Sequence, residues 1–187
     1  MYKKTLALLL VTGIMAAFVS AGSALFTSTA TIAANTFTTG TVTISTSPSS
    51  ALVTFSNMAP GDQVTAPLTV SNDGSLQLRY AMTSSSTNAD AKALRDQLVL
   101  TVKSGVTTCT NAGFGASGTS LFSGALSAGA FGDPASGAQT GDRTLNASAT
   151  ETLCFNVSLP SSSGNAFQNA TTTATFTFSA EQTANNP

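Results

Sequence analysis

Apolar residues recur at every second position along five stretches of this chain. Val64, Ala66, Leu68 and Val70 share one side of an extended backbone. Leu76, Leu78, Tyr80 and Met82 share another, with Gln77 and Arg79 directed away. Leu98, Leu100 and Val102 repeat the pattern, as do Leu153, Phe155, Val157 and Leu159, and then Ala174, Phe176, Phe178 and Ala180. Successive side chains of a strand point to opposite faces, so period two with one apolar set describes half-buried strands. Several such strands separated by turn residues predict an all-β fold, an antiparallel β-sandwich or a barrel. Ser and Thr fill 56 of the 187 positions, and the 11 Phe within 42% hydrophobic residues supply a core that a disordered chain would lack.

The turns carry their own chemistry. Pro60-Gly61, followed by Asp62, suits the centre of a type II turn: proline presets φ and glycine accepts φ > 0. Asn72-Asp73-Gly74, between two alternating stretches, reads as a hairpin. The one helical candidate runs from Asp90 to Leu98, with Asn88 or Asp90 as its cap and Leu94 and Leu98 on one face. Residues 104–142 are rich in Gly, Ser and Ala, with isolated Phe114, Phe122 and Phe131. They read as a long excursion with small strands, of a length that is usually ordered by something or functional.

The first 24 residues form an address. Lys3 and Lys4 precede an uncharged, mostly apolar run from Thr5 to Val19, and small residues from Ser20 to Ala24 follow. That order predicts a secretory signal cut between Ala24 and Leu25, leaving one β-sandwich domain over 25–187. The alternative is an uncleaved membrane anchor, and the membrane enters only through this segment. Removing Lys3 and Lys4 leaves five cations against eight carboxylates, a charge of −3. Export favours pairing of Cys109 with Cys154, with two buried thiols as the alternative. Closing a loop of that size stabilises by about 4 kcal/mol on the chain-entropy argument.

Chemistry is scarce. The chain has no His and no Trp. A Ser or Cys nucleophile lacks its usual base, no Gly-x-Ser-x-Gly elbow occurs, and no His-Glu-x-x-His pattern can form. A Ser-Lys pair would need Lys92 or Lys103, both read as solvated. The eight carboxylates show no EF-hand spacing. Seven Lys/Arg offer no basic surface for nucleic acid. No catalytic residue, metal or cofactor is expected. The three Asn-x-Ser/Thr triplets, at Asn146, Asn156 and Asn169, match chance in so Ser/Thr-rich a chain.

An ordered set of short motifs carries a resemblance. Leu25-Phe26-Thr27 follows the signal, and Thr36-Phe37-Thr38-Thr39-Gly40-Thr41-Val42-Thr43-Ile44 comes next. Then come Phe55 to Asp62, ending in Pro-Gly-Asp, and Asn72-Asp73-Gly74-Ser75-Leu76. Gly164-Asn165-Ala166-Phe167-Gln168 and Phe176 to Thr183, ending in Ala-Glu-Gln-Thr, close the series. In this order they resemble the TasA/camelysin family of secreted surface proteins; residues 104–142 match less well. The resemblance implies processing by a SipW-type signal peptidase, a jelly-roll-like sandwich, and assembly into extracellular fibres or thin pili of the biofilm matrix. In such fibres the segment exposed by cleavage completes the next subunit's sheet, so the implied partner is the chain itself, head to tail. Camelysin is labelled a metalloprotease, a label the residues here do not support for want of any His.

The residues allow that assembly independently. Residues 25–36 are uncharged and Thr-rich, and Phe26, Ala30 and Ile32 fall on one side of a strand, spaced to fill alternate pockets. Head-to-tail addition grows filaments rather than closed dimers. Pairing of this segment with its own sheet would instead give a monomer. A monomeric adhesive surface module, carried by residues 104–142, is the competing function, and a protease the third.

Overall fold

A computed structural model describes residues 28–187, so the cleavage pair Ala24 and Leu25, and Phe26, lie outside the described residues. Residues 28–38 form one unit and residues 39–187 another. In the first, an arm, every described residue is exposed and none is in a helix or strand. The second, the body, is built of antiparallel strands in two sheets, the all-β architecture that the alternation predicts.

The strands are β1 (Ile44–Ser47), β2 (Gln63–Asn72), β3 (Leu78–Ser86), β4 (Val99–Ser104), β5 (Thr119–Ala125), β6 (Ala130–Phe131), β7 (Arg143–Leu145), β8 (Thr150–Ser158) and β9 (Ala174–Gln182). The larger sheet has the order β1-β2-β8-β4-β5. The smaller is centred on β3, which pairs with β9 along its whole length. On its other edge β3 meets β7 at Leu78–Tyr80 and β6 at Met82–Thr83. Leu68, Val70, Leu100, Val102, Leu153, Phe155 and Val157 from one sheet meet Leu78, Tyr80, Met82, Phe131 and Leu145 from the other in a single core. All five alternating stretches supply it, as the sequence predicts.

The structure corrects several expectations. Asn72-Asp73-Gly74 is not a hairpin turn: β2 pairs with β1 and β8, and β3 lies in the other sheet. The buried Asn72 side chain makes this corner instead. Its Nδ2 donates to the carbonyls of Leu76, Leu145 and Asn146 at 2.8, 3.2 and 3.0 Å, and its Oδ1 accepts from Gly74 N at 3.0 Å. Gly74 is required by close approach, because a Cβ there would meet the carbonyl of Thr41. Leu76 sits in this corner, before β3 begins.

The helix shrinks to one turn, α1 (Leu94–Gln97). Asn88 and Asp90 do not cap it. Their carboxamide and carboxylate oxygens accept from Ala93 N and Lys92 N, and the chain between turns through left-handed Ala91 and Ala93. Such local bonds compete with helix formation. Arg79 is directed away from the core, as the alternation predicts, but is covered on the outer side of β3, where it meets Glu181 at 3.3 Å and the carbonyl of Asn186. Phe131, read as isolated within the excursion, is a core residue.

Candidate functional site

The two sheets meet differently at their two sides. At one side, β5 passes through a 3-10 turn (Leu126–Ala128) into β6, so the chain itself crosses from sheet to sheet. At the other, β1 and β9 face each other with no strand between them among the described residues. Ile44, Ser45, Thr46, Phe176, Thr177 and Phe178 line a gap of about 300 Å³ there. The apolar members face it because of strand parity. Ile44 and Thr46 are half-buried in β1 while Ser45 and Ser47 are exposed; Phe176 and Phe178 are half-buried in β9 while Thr175 and Thr177 are exposed. Phe176 reaches Phe155 at 5.0 Å and Phe178 reaches Tyr80 at 6.2 Å, so the seam opens directly onto the core. Val42, two residues before Ile44, is 37% exposed.

The strand edges are unequal. Along β2, residues 63–68 lack a strand partner on the side away from β8 among the described residues, and Pro67, which has no N–H to offer, stands in that stretch. The register of β5 against β4 slips at Val102/Lys103, a bulge that turns an edge away. On the outer edge of β3, β6 and β7 have two and three residues. By contrast, β9 runs for nine residues with no Pro, Gly, Lys or Arg, and its one strand partner among the described residues is β3. It is the edge least protected against pairing with another strand.

The other sequence-predicted residues lie elsewhere in the body. At Ala59–Asp62 the expected turn forms: Asp62 N donates to Ala59 O at 2.9 Å and Gly61 adopts φ 97°. Asp62 Oδ2 accepts from Ala59 N, and Gly61 N binds Leu159 O at 2.8 Å, which docks the turn at the end of β8. Cys109 is bonded to Cys154, 45 residues away, with the Cα atoms 5.6 Å apart. This bond lays residues 105–118 over the outer face of β8, and Asn111 adds a bond to Gln63 O at 2.9 Å. Lys103, read as solvated, holds the same loop: its Nζ lies 4.7 Å from the Phe114 ring and donates to Phe114 O at 3.0 Å. Both faces of β8 are therefore covered, and Leu153–Val157 is buried without interruption.

Across the core a polar bridge joins the sheets. Tyr80 of β3 donates to Glu151 Oε2 of β8 at 2.7 Å, and Arg143 of β7 donates to the same carboxylate through both Nε and an amino group. Burial, followed by the bond to Glu151, pushes the Tyr80 phenol well above its ordinary range, and the carboxylate raises Arg143. Neither the seam nor this bridge was singled out from the sequence. The seam's signal was present in the Phe176/Phe178 alternation, but alternation alone does not say that a strand's side is left open.

Ala30 and Ile32 lie in the arm, Ile32 86% and Phe37 93% exposed. Ala34 adopts φ 64°, and Asn35 Nδ2 donates back to Ile32 O at 3.0 Å. A model of the family described as camelysin metallo-endopeptidase matches residues 1–99. A search among curated proteins finds no match.

Proposed function

From a chain that belongs to the camelysin metallo-endopeptidase family, we propose a secreted structural subunit of extracellular fibres at the cell surface, assembled by strand addition. The arm freed by cleavage at Leu25 enters the β1–β9 seam of a neighbouring copy. The observation that carries this reading is the nine-residue edge of β9, which has no second strand partner among the described residues, beside a gap lined by Ile44, Phe176 and Phe178 together with Ser45, Thr46 and Thr177. An added strand pairs its backbone along that edge, while alternate side chains fill the gap. Phe26, Ala30 and Ile32 are the set to point inward, and Thr27, Thr29 and Thr31 face solvent.

The family's description names a metal-dependent peptidase, and the residues present do not fit such a centre. The chain has no His, and both Cys are bonded to each other. Glu151 is held by Arg143 and Tyr80, and Glu181 by Arg79 and Gly137 N. Asp90 and Asp142 each accept two backbone N–H groups, and Asp96 binds Ser127. No three His, Cys, Asp or Glu side chains gather among the described residues. The reading is therefore structural rather than catalytic, and no casein cleavage is expected with or without a chelator.

The deciding experiment compares a protein beginning at Leu25 with one lacking Leu25–Ala34, by sedimentation and electron microscopy. Fibres are expected from the first, and a folded single species from the second. Fibres from the shortened chain would overturn strand addition by the arm.

A further inference from the structure

Resting on that reading, we infer the polarity of the assembly: the incoming arm runs antiparallel to β9 and parallel to β1, which sets subunits head to tail along the strand direction.

The directions follow from two contacts across the core. Tyr80, paired with Ala180 of β9, reaches Glu151 of β8. Phe176 of β9 reaches Phe155 of β8. Between these levels β8 ascends from 151 to 155 while β9 descends from 180 to 176, so the two strands run in opposite senses. Because β2 is antiparallel to both β8 and β1, β1 runs with β8. Hence β1 and β9, the two sides of the seam, run opposite ways, and a strand between them is parallel to one and antiparallel to the other.

Two arguments choose the orientation. Antiparallel pairing is the more stable kind, and β9 offers nine residues against four in β1. Propagation chooses the same way. The body's chain begins at one end of the seam, where Thr41 N binds Ser75 Oγ at 2.9 Å and Asp73 N binds Thr43 O at 2.9 Å. Gln182 of β9 pairs with Leu78 at that end, and Ala174 with Ser86 at the opposite end. An arm antiparallel to β9 starts at the Gln182 end and emerges at the Ala174 end. Its own body, which begins at Thr39, then sits beyond the Ala174 end of the acceptor and leaves its own seam open. The contact is heterologous and repeats in a line. An arm of opposite polarity would emerge at the Gln182 end, so two copies would meet through the same end and the next addition would be obstructed.

The test uses fibres of the chain beginning at Leu25 that carry Ala33→Cys together with either Thr175→Cys or Gln182→Cys. They are treated with a short bismaleimide under non-reducing conditions after polymer is verified by electron microscopy. A ladder of cross-linked multimers is expected with Thr175→Cys, and at least a tenfold weaker one with Gln182→Cys. Fibres with the reverse preference would overturn the polarity and leave strand addition standing. If the unsubstituted chain and both variants form no polymer, both inferences fall.

Discussion

Asn72 shows how one side chain decides a connection. Its amide satisfies three carbonyls at the corner where the chain leaves one sheet for the other, and it is 1% exposed. Stranded buried carbonyls are costly, so Asn72→Ala is expected to lower unfolding free energy by about 3 kcal/mol in urea titrations. Asn72→Asp, which sets a carboxylate against the same carbonyls, should lose at least as much. Tyr80 gives a pH prediction with a definite sign. Its phenol is raised in the folded state, above an unfolded value of about 10, so the folded protein holds that proton more tightly. The stabilisation is complete below pH 10 and is lost as pH rises beyond it. In a chain beginning at Leu25, Tyr80 is the one tyrosine. Tyrosinate absorbance should therefore be missing from the folded protein at pH 10.5 and rise together with unfolding.

At the scale of elements, residues 105–118 are a strap rather than a layer. Within 105–118 there is no strand, and the segment is held by Cys109–Cys154, Asn111 and Lys103. Reduction should cost about 2–4 kcal/mol and make this segment the first site of limited proteolysis, with the sheets still protected. Initial cleavage within β2 or β8 would show that the disulfide supports the sheets themselves. The short helix has a related lesson. Residues 90–98 carry a helical spacing, yet Asn88 and Asp90 find backbone partners sooner and leave one turn. The backbone bonds to Lys92 and Thr171 also hold the Asp90 carboxyl below its ordinary range.

At the scale of the whole molecule, the contrast among edges matters most. Pro67, the β5 bulge and the brevity of β6 and β7 each discourage pairing, while β9 carries none of these devices. Placing a cation on that edge tests its role. Thr177→Lys changes an exposed residue, so folding stability should move by no more than about 0.5 kcal/mol. Fibre yield by sedimentation is nonetheless expected to drop at least tenfold. Unchanged yield would direct attention away from β9.

The class of fold and the core are legible in the order of residues, because a strand's two-residue period writes burial directly into stretches such as Val64–Val70 and Leu153–Leu159. The Pro60-Gly61 turn is legible there too, since its geometry depends on adjacent residues alone. Which strands are neighbours emerges only when the folded sheets are seen. That Asn72–Gly74 crosses between sheets, that Arg79 is covered, and that Phe176 and Phe178 border an opening all depend on partners distant in the chain. A local pattern records which way a side chain faces; whether anything stands opposite it is settled by how the sheets are stacked and where each one ends.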